Sequence, residues 1–390
     1  MAAAMVTARR AAEIAPFEVM DVLSRAQALE RAGRHVVHME IGEPDFTAPE
    51  PVVEEGVRAL REGRTAYTAT LGLAALREII AQHYATRFGA RLAAERVVIT
   101  AGASGGLLTV AALYVDAGDE VLVPDPGYPG YRHFVRAFEG RARPLALTAT
   151  HNFQPTLAMV REAWNTRTKA LILGSPSNPT GTLIARSELE AIARFIAERD
   201  GVLIVDEIYQ GLSYGSEPWT ALGLPGEVVV INSFSKYFCM TGWRLGWVVL
   251  PAAAVRDFEK LAQHLFISAP AVAQYAACAA FGPESLAILE ERRREFARRR
   301  DVLLPALKSA GLAVPAEPHG AFYIYADCGR DARDYCLQLL EREAVAATPG
   351  VDFGANGTAH HVRFAYTRAM ADIEEAARRI KRFAVSSPSA

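Results

Sequence analysis

A lysine amine can hold a carbonyl compound as a Schiff base and carry a proton to or from carbon. Lys236 is placed for such work. It follows the apolar run 228–232, stands in Ser233-Phe234-Ser235-Lys236, and precedes Arg244 in Thr241-Gly242-Trp243-Arg244. Three further segments carry comparable potential. Asp206-Glu207-Ile208-Tyr209 closes the apolar run 202–205, and an acid at the carboxyl end of a buried strand lies where α/β sheets bind ligands. Ser177-Asn178-Pro179-Thr180-Gly181 follows the run 171–173. Thr100-Ala101-Gly102-Ala103-Ser104-Gly105-Gly106 links the run 97–100 to an apolar helix. Small residues there let backbone N–H groups approach a phosphate, and a helix N-terminus adds favourable partial charge. No G-K-[ST] follows, so this is not a Walker loop. Taken singly, each segment also has an ordinary reading: a solvated loop charge, a helix N-cap, a Pro/Gly turn.

The elements that would position these residues are readable from hydrophobic pattern. Seven short β-rich runs are expected at 97–100, 120–124, 142–147, 170–174, 202–205, 228–232 and 245–250, most of them continuously apolar. Strands buried on both faces read this way. Helix-length segments such as 106–114 and 186–198 alternate with them, which argues for an α/β domain with a largely parallel sheet. Nine residues separate Ser235 from Leu245, too few for a parallel crossover of about a dozen, so the last two strands should be antiparallel. From Pro270 onward the pattern changes to charged helices (284–306, 331–343) and short β segments (321–326, 361–366). That describes a second, smaller α+β unit, with which the segment 17–41 should pack.

With 51% hydrophobic and 22% charged residues the 390-residue chain has an ordinary globular composition, and its length suits two domains. A formal net charge of −2 gives no global attraction to nucleic acid or anionic membrane, so any anion site must be local. Cys239, Cys278, Cys328 and Cys336 contain no C-x-x-C pair, which argues against a disulfide framework or structural zinc. Met5 is an alternative start to Met1, and no signal-peptide core follows; the longest apolar stretch, 105–115, is far short of the ~20 residues that span a bilayer. A cytoplasmic protein ending in a small Ser/Pro/Ala tail (386–390) is expected. The basic run 292–300 reads as a solvated helix face, and His360-His361 lacks a third metal ligand at useful spacing.

Taken together and in this order, the four motifs closely resemble the class I/II, fold-type I aminotransferases that depend on pyridoxal 5'-phosphate (PLP). The resemblance runs from about Phe17 to Phe383. It implies a large PLP-binding domain, residues 46–283, with a mixed, mostly parallel sheet, and a small domain formed by residues 1–45 and 284–390. It implies that Lys236 forms the Schiff base and that Arg244, Ser233, Ser235, Gly102, Ala103 and Ser104 surround the cofactor phosphate. Asp206 would pair with the pyridine nitrogen, keeping the ring cationic so that it can accept electrons. Asn178 and Tyr209 would bond the phenolic oxygen, and Tyr128 would stack on the ring. Tyr67 would reach the partner subunit's phosphate, making the enzyme a homodimer with a shared site. Arg363, in His361-Val362-Arg363-Phe364, would clamp the substrate α-carboxylate as a bidentate fork, with Gly42 lining the same pocket.

The implied activity is transfer of an amino group from an L-amino acid to a 2-oxo acid. C–S β-elimination, or ring closure, on the same scaffold is the alternative, since reaction choice lies in the site and not in the fold. A ligand sensor carrying this fold would need a DNA-binding domain ahead of Phe17. The chain departs from the family at Cys239, where Ala, Ser or Gly is usual, and this would place an oxidisable group near the cofactor. Arg64, near Tyr67, is the candidate for binding a second substrate carboxylate.

Overall fold

The computed structural model describes residues 7–215 and 217–386. Met5 and the tail beyond Ser386 lie outside the described residues. A two-residue strand, β1 (Val37–His38), precedes the main sheet. That sheet contains β2 (Val97–Thr100), β3 (Glu120–Asp125), β4 (Arg141–Ala146), β5 (Thr168–Gly174), β6 (Val202–Asp206), β7 (Glu227–Ser233) and β8 (Gly246–Val249), in spatial order β2-β8-β7-β6-β5-β3-β4. All seven expected strands are present, with ends moved by one or two residues.

Their apolar continuity has a direct cause. Val97 and Ile99 enter one core while Val98 enters the other; Leu203 and Val205 are likewise opposed to Val202 and Ile204. Both faces are therefore covered, and alternation is lost. The pairs β3–β4, β3–β5, β5–β6 and β6–β7 are parallel, whereas β8 is antiparallel to both β7 and β2. The short connection after Lys236 produces this reversal, as its length requires. Because β2 and β7 both oppose β8, they run in the same direction. The carboxyl ends of β2, β3, β5, β6 and β7 thus share one edge, the edge at which such sheets bind ligands.

Beyond the helix Pro283–Ser309 lie β9 (Tyr323–Asp327), β10 (Val345–Ala346), β11 (Thr348–Pro349) and β12 (His361–Ala365). The order β11-β12-β9 forms a small antiparallel sheet, and β1 pairs in parallel with β10. Ala26 and Val36 pack against Leu340, Ala344 and Ala346, joining the N-terminal segment to the C-terminal one. β9 starts at Tyr323, later than the pattern suggested, because Ala321 is held at φ 55°, outside strand geometry. The helix Gly102–Tyr114 starts four residues earlier than expected. Its small-residue opening carries little helix propensity, and tertiary packing supplies the order instead. Among the described residues no helix is long and apolar enough to cross a membrane.

Candidate active site

Twelve of the fourteen residues singled out by sequence line one cavity of about 320 Å3. They are Gly42, Ala103, Ser104, Tyr128, Asn178, Asp206, Tyr209, Ser233, Ser235, Lys236, Arg244 and Arg363. The loops that follow β2, β3, β5, β6 and β7 deliver ten of them to the shared sheet edge, while Gly42 and Arg363 arrive from the N-terminal segment and β12. Gly102 lies just behind the cavity wall at φ +73°, and a Cβ there would stand 2.6 Å from Arg244 Nη2. Glycine is required on both counts. Tyr67 is absent from the cavity of its own chain and is 80% exposed.

Lys236 Nζ donates to the Gly42 carbonyl at 2.7 Å. Burial pulls its pKa down to about 8, with Arg363 and Arg244 acting in the same direction and Glu43 opposing them. An amine so perturbed holds a sizeable unprotonated fraction near neutral pH, as a nucleophile or base must. Asp206 ends β6 and is 3% exposed. Its carboxylate accepts from Tyr131 Oη at 2.8 Å and from the Ile208 N–H at 3.1 Å, yet burial still pushes its pKa up to about 6. Two hydrogen bonds do not repay the desolvation of this charge.

Arg244 takes a left-handed backbone (φ 55°) and donates to the Thr241 carbonyl at 2.9 Å. A non-glycine residue there costs on the order of 1 kcal/mol, a strain that clusters at functional sites. Ser233 Oγ accepts from the Ser235 N–H at 3.0 Å and so braces the loop that carries Lys236. Arg363 is buried on β12, with its guanidinium carbon 4.4 Å from the centre of the Tyr323 ring and 4.7 Å from that of Phe353. One terminal nitrogen donates to Asn178 Oδ1 at 2.9 Å and the other to the Glu40 carbonyl, but buried Nε has no partner. A buried cation with an unanswered donor is suited to an incoming carboxylate.

Several site residues escaped the sequence reading. Tyr131 and Asp352 line the cavity, as do Phe17 and Val19 at its mouth. Tyr131 lies three residues after Tyr128, just inside the helix that starts at Gly130, and the two rings meet edge to face at 5.3 Å. Tyr323 carries no local signal; it contacts Tyr209 and Arg363 only through tertiary pairing. The position of Cys239 corrects an expectation. Its side chain borders a neighbouring groove with Glu43 and Trp243, outside the cavity, and burial pushes its thiol up to about 11. A thiol held protonated in this way is a poor target for oxidation. No group of three or more metal-binding side chains occurs among the described residues.

Tyr323 also explains Gly42. A Cβ on Gly42 would lie 1.8 Å from Tyr323 Oη. Gly42→Ala is therefore expected to destabilise the protein by about 1–3 kcal/mol through overpacking, and to displace the carbonyl that receives Lys236. Urea unfolding with unchanged midpoint and slope would show that Tyr323 moves aside at no cost.

The geometry gathers a lysine amine, a buried carboxylate and two guanidinium groups in one cavity. The family model "Aminotransferase class I and II" matches residues 34–380, and the chain belongs to that family. It is 40% identical to the (5-formylfuran-3-yl)methyl phosphate transaminase of Methanocaldococcus jannaschii, over 94% of this chain and 96% of that one. It is 38% identical to the valine–pyruvate aminotransferase of Mycobacterium tuberculosis, over 95% and 96% of the two chains. A crystal structure of an aminotransferase from M. tuberculosis superposes with a TM-score of 0.94 at 37% identity, covering 98% of this chain and all of that one. The chain is an aminotransferase. These relatives lend no support to the β-elimination alternative.

Proposed function

We propose that this aminotransferase uses PLP, held in the cavity by Lys236, and moves the amino group of an L-amino acid with an uncharged side chain to a 2-oxo acid. The observation that carries the reading is the meeting of the Lys236 amine, the Asp206 carboxylate and the Arg363 guanidinium in one cavity. The cofactor fits the donors present. Asp206, buried and under-compensated, calls for a cation, and a protonated pyridine nitrogen is one. Arg244, Ser104, Ser235 and the N-terminus of the helix Gly102–Tyr114 offer hydrogen bonds and positive potential for a phosphate dianion. When bound, PLP supplies an aldehyde that exchanges amines and a ring that accepts electrons from carbon.

The protein's own groups do the rest. Arg363 binds the α-carboxylate and so fixes which face of the amino acid meets Lys236. With its Oδ1 engaged by Arg363, Asn178 retains Nδ2 to donate to the phenolic oxygen beside Tyr209. Lys236, as the free amine, is the group that would take the proton from the substrate Cα and return it. Tyr128 would pack over the ring, Ser233, Ala103 and Gly42 complete the wall, and Gly102 stands just behind it.

Tyr67 extends from its own chain into solvent at 80% exposure, and Leu60, Leu265 and Ile267 are also exposed apolar side chains. This supports a homodimer in which Tyr67 serves the partner's phosphate. In this reading residues 46–283 are the large domain, residues 1–45 and 284–390 the small one, and the protein is cytoplasmic.

Phe17, Val19, Phe353 and Asp352 also line the cavity and would face the donor side chain. Burial already pushes the pKa of Asp352 up, against the pull of Arg363 and Arg132, so a second substrate carboxylate beside it would add repulsion, and Arg132 is engaged by the Asp352 carbonyl. Arg64, the candidate for that role, is paired with Glu62 and stacked on Tyr275. Absorption spectra of the PLP-loaded protein with single L-amino acids, and no oxo acid, test the reading. The visible band should give way to a near-ultraviolet band, at least about tenfold more efficiently with valine, leucine or phenylalanine than with aspartate, a difference of ~1.4 kcal/mol. Faster reaction with aspartate refutes the donor class, and release of pyruvate and ammonia from a cysteine conjugate with the visible band intact refutes transamination.

A further inference from the structure

We propose that Tyr323 is a positioning residue that makes Tyr209 a stronger hydrogen-bond donor to the cofactor's phenolic oxygen and links that donor to the carboxylate clamp Arg363. The inference rests on the reading of the cavity as a PLP site and adds a residue to it.

Three contacts converge on this side chain. Tyr323 is the first residue of β9, 1% exposed, and its hydroxyl lies 2.7 Å from that of Tyr209. Its ring lies 4.4 Å beneath the Arg363 guanidinium carbon, within cation–π range. Its hydroxyl also fills the space a side chain on Gly42 would need, and the Gly42 carbonyl receives Lys236. Tyr323 thus touches the phenolic-oxygen partner and the substrate clamp directly, and Lys236 through one residue. The Asn178 contact with Arg363 is a separate route between clamp and cofactor.

The direction of the hydrogen bond follows from counting donors. Burial raises the pKa of both tyrosines, so both hydroxyls keep their protons. Each has one O–H, and only one proton can lie between the two oxygens. If Tyr209 aims its proton into the cavity, the proton on the shared contact is that of Tyr323, and Tyr209 accepts it. A hydroxyl that accepts a hydrogen bond donates a stronger one, because the chain polarises cooperatively. Tyr323 therefore acts through Tyr209. Its ring, carrying the Arg363 charge, keeps both hydroxyls in register with the clamp.

The test uses the PLP-loaded protein and reads the pH midpoint of its visible absorption, which does not depend on turnover. A donor on the phenolic oxygen competes for the proton shared between that oxygen and the nitrogen of the Lys236 link, so weakening the donor raises the midpoint. Tyr209→Phe should raise it most. Tyr323→Phe, which keeps the ring and the stacking, should raise it by about half a pH unit, the worth of part of one hydrogen bond. In a Tyr209→Phe background, adding Tyr323→Phe should leave the midpoint unchanged, since the pair acts in series. Tyr323→Leu, which removes the ring as well, should raise KM for the amino acid several-fold more than Tyr323→Phe does. The proposal is overturned if Tyr323→Phe leaves the midpoint in place, or moves it equally with and without the Tyr209 hydroxyl. Absence of a visible band in the loaded wild type would overturn the PLP reading itself, a separate result.

Discussion

Lys236→Ala is expected to stop transamination, with turnover falling by at least about a thousandfold, as removal of a positioned general base entails. The cavity offers no substitute. Its other cations, Arg244 and Arg363, are guanidinium groups, which donate hydrogen bonds but offer no acceptor for a proton from carbon. Lys236 serves because burial has brought its pKa down to about 8, within reach of neutral pH. The variant should still bind PLP, since the phosphate end and Asp206 are untouched, but without a covalent link. Borohydride reduction followed by mass spectrometry distinguishes the two states: wild type gains the mass of the reduced cofactor on the peptide containing Lys236, and the variant gains none. Small primary amines added to the variant should restore part of the proton transfer. Full activity in Lys236→Ala would overturn the assignment of the site.

Asp206→Ala should bind PLP more weakly and lose most of its proton-transfer rate, because the ring then lacks the carboxylate that keeps its nitrogen protonated. Near-normal rates would mean that another group partners the ring. A second consequence appears without cofactor. Asp206 has a folded-state pKa of about 6, raised from 3.8 by burial, so the folded protein binds this proton more tightly than the unfolded chain. Its stabilising contribution is complete below about pH 4 and is lost as pH rises through 6. Asp206→Ala lacks that titration. Between pH 4 and 7 the difference in melting temperature between the two unloaded proteins should move in favour of the variant. Loading wild type with PLP places a cation beside the carboxylate, and the trend should then disappear. A pH-independent difference in the unloaded proteins would mean that water reaches Asp206 and its charge is not penalised.

Both predictions depend on an arrangement that was only partly legible beforehand. Lys236, Asp206, Asn178 and Ser104 each follow a short apolar run, and a run with a chemical residue at its end is a local pattern. Once the runs are strands of a largely parallel sheet, their carboxyl ends meet by necessity. The reversal at β8 was equally readable, because nine residues cannot make a parallel crossover. Less was legible where backbone conformation departs from propensity. The helix after β2 begins at Gly102, and β9 waits until Tyr323 because of the left-handed Ala321.

The sequence by itself determined the order of strands and helices, the family, and the residues able to bear charge or form a covalent bond. Residue type and spacing within a few positions carry that information. Only the tertiary structure decided which of those groups touch. Arg363 lies 185 residues from Asn178 and Tyr323 lies 114 from Tyr209. Their contacts depend on the register of β9 against β12, where Tyr323 opposes Ala365, and on the seating of the small sheet over the large one. It likewise drew Cys239 away from the cavity and left Tyr67 outside it. Contacts between distant segments arise from the packing of whole faces, a cooperative property that no short window of sequence contains.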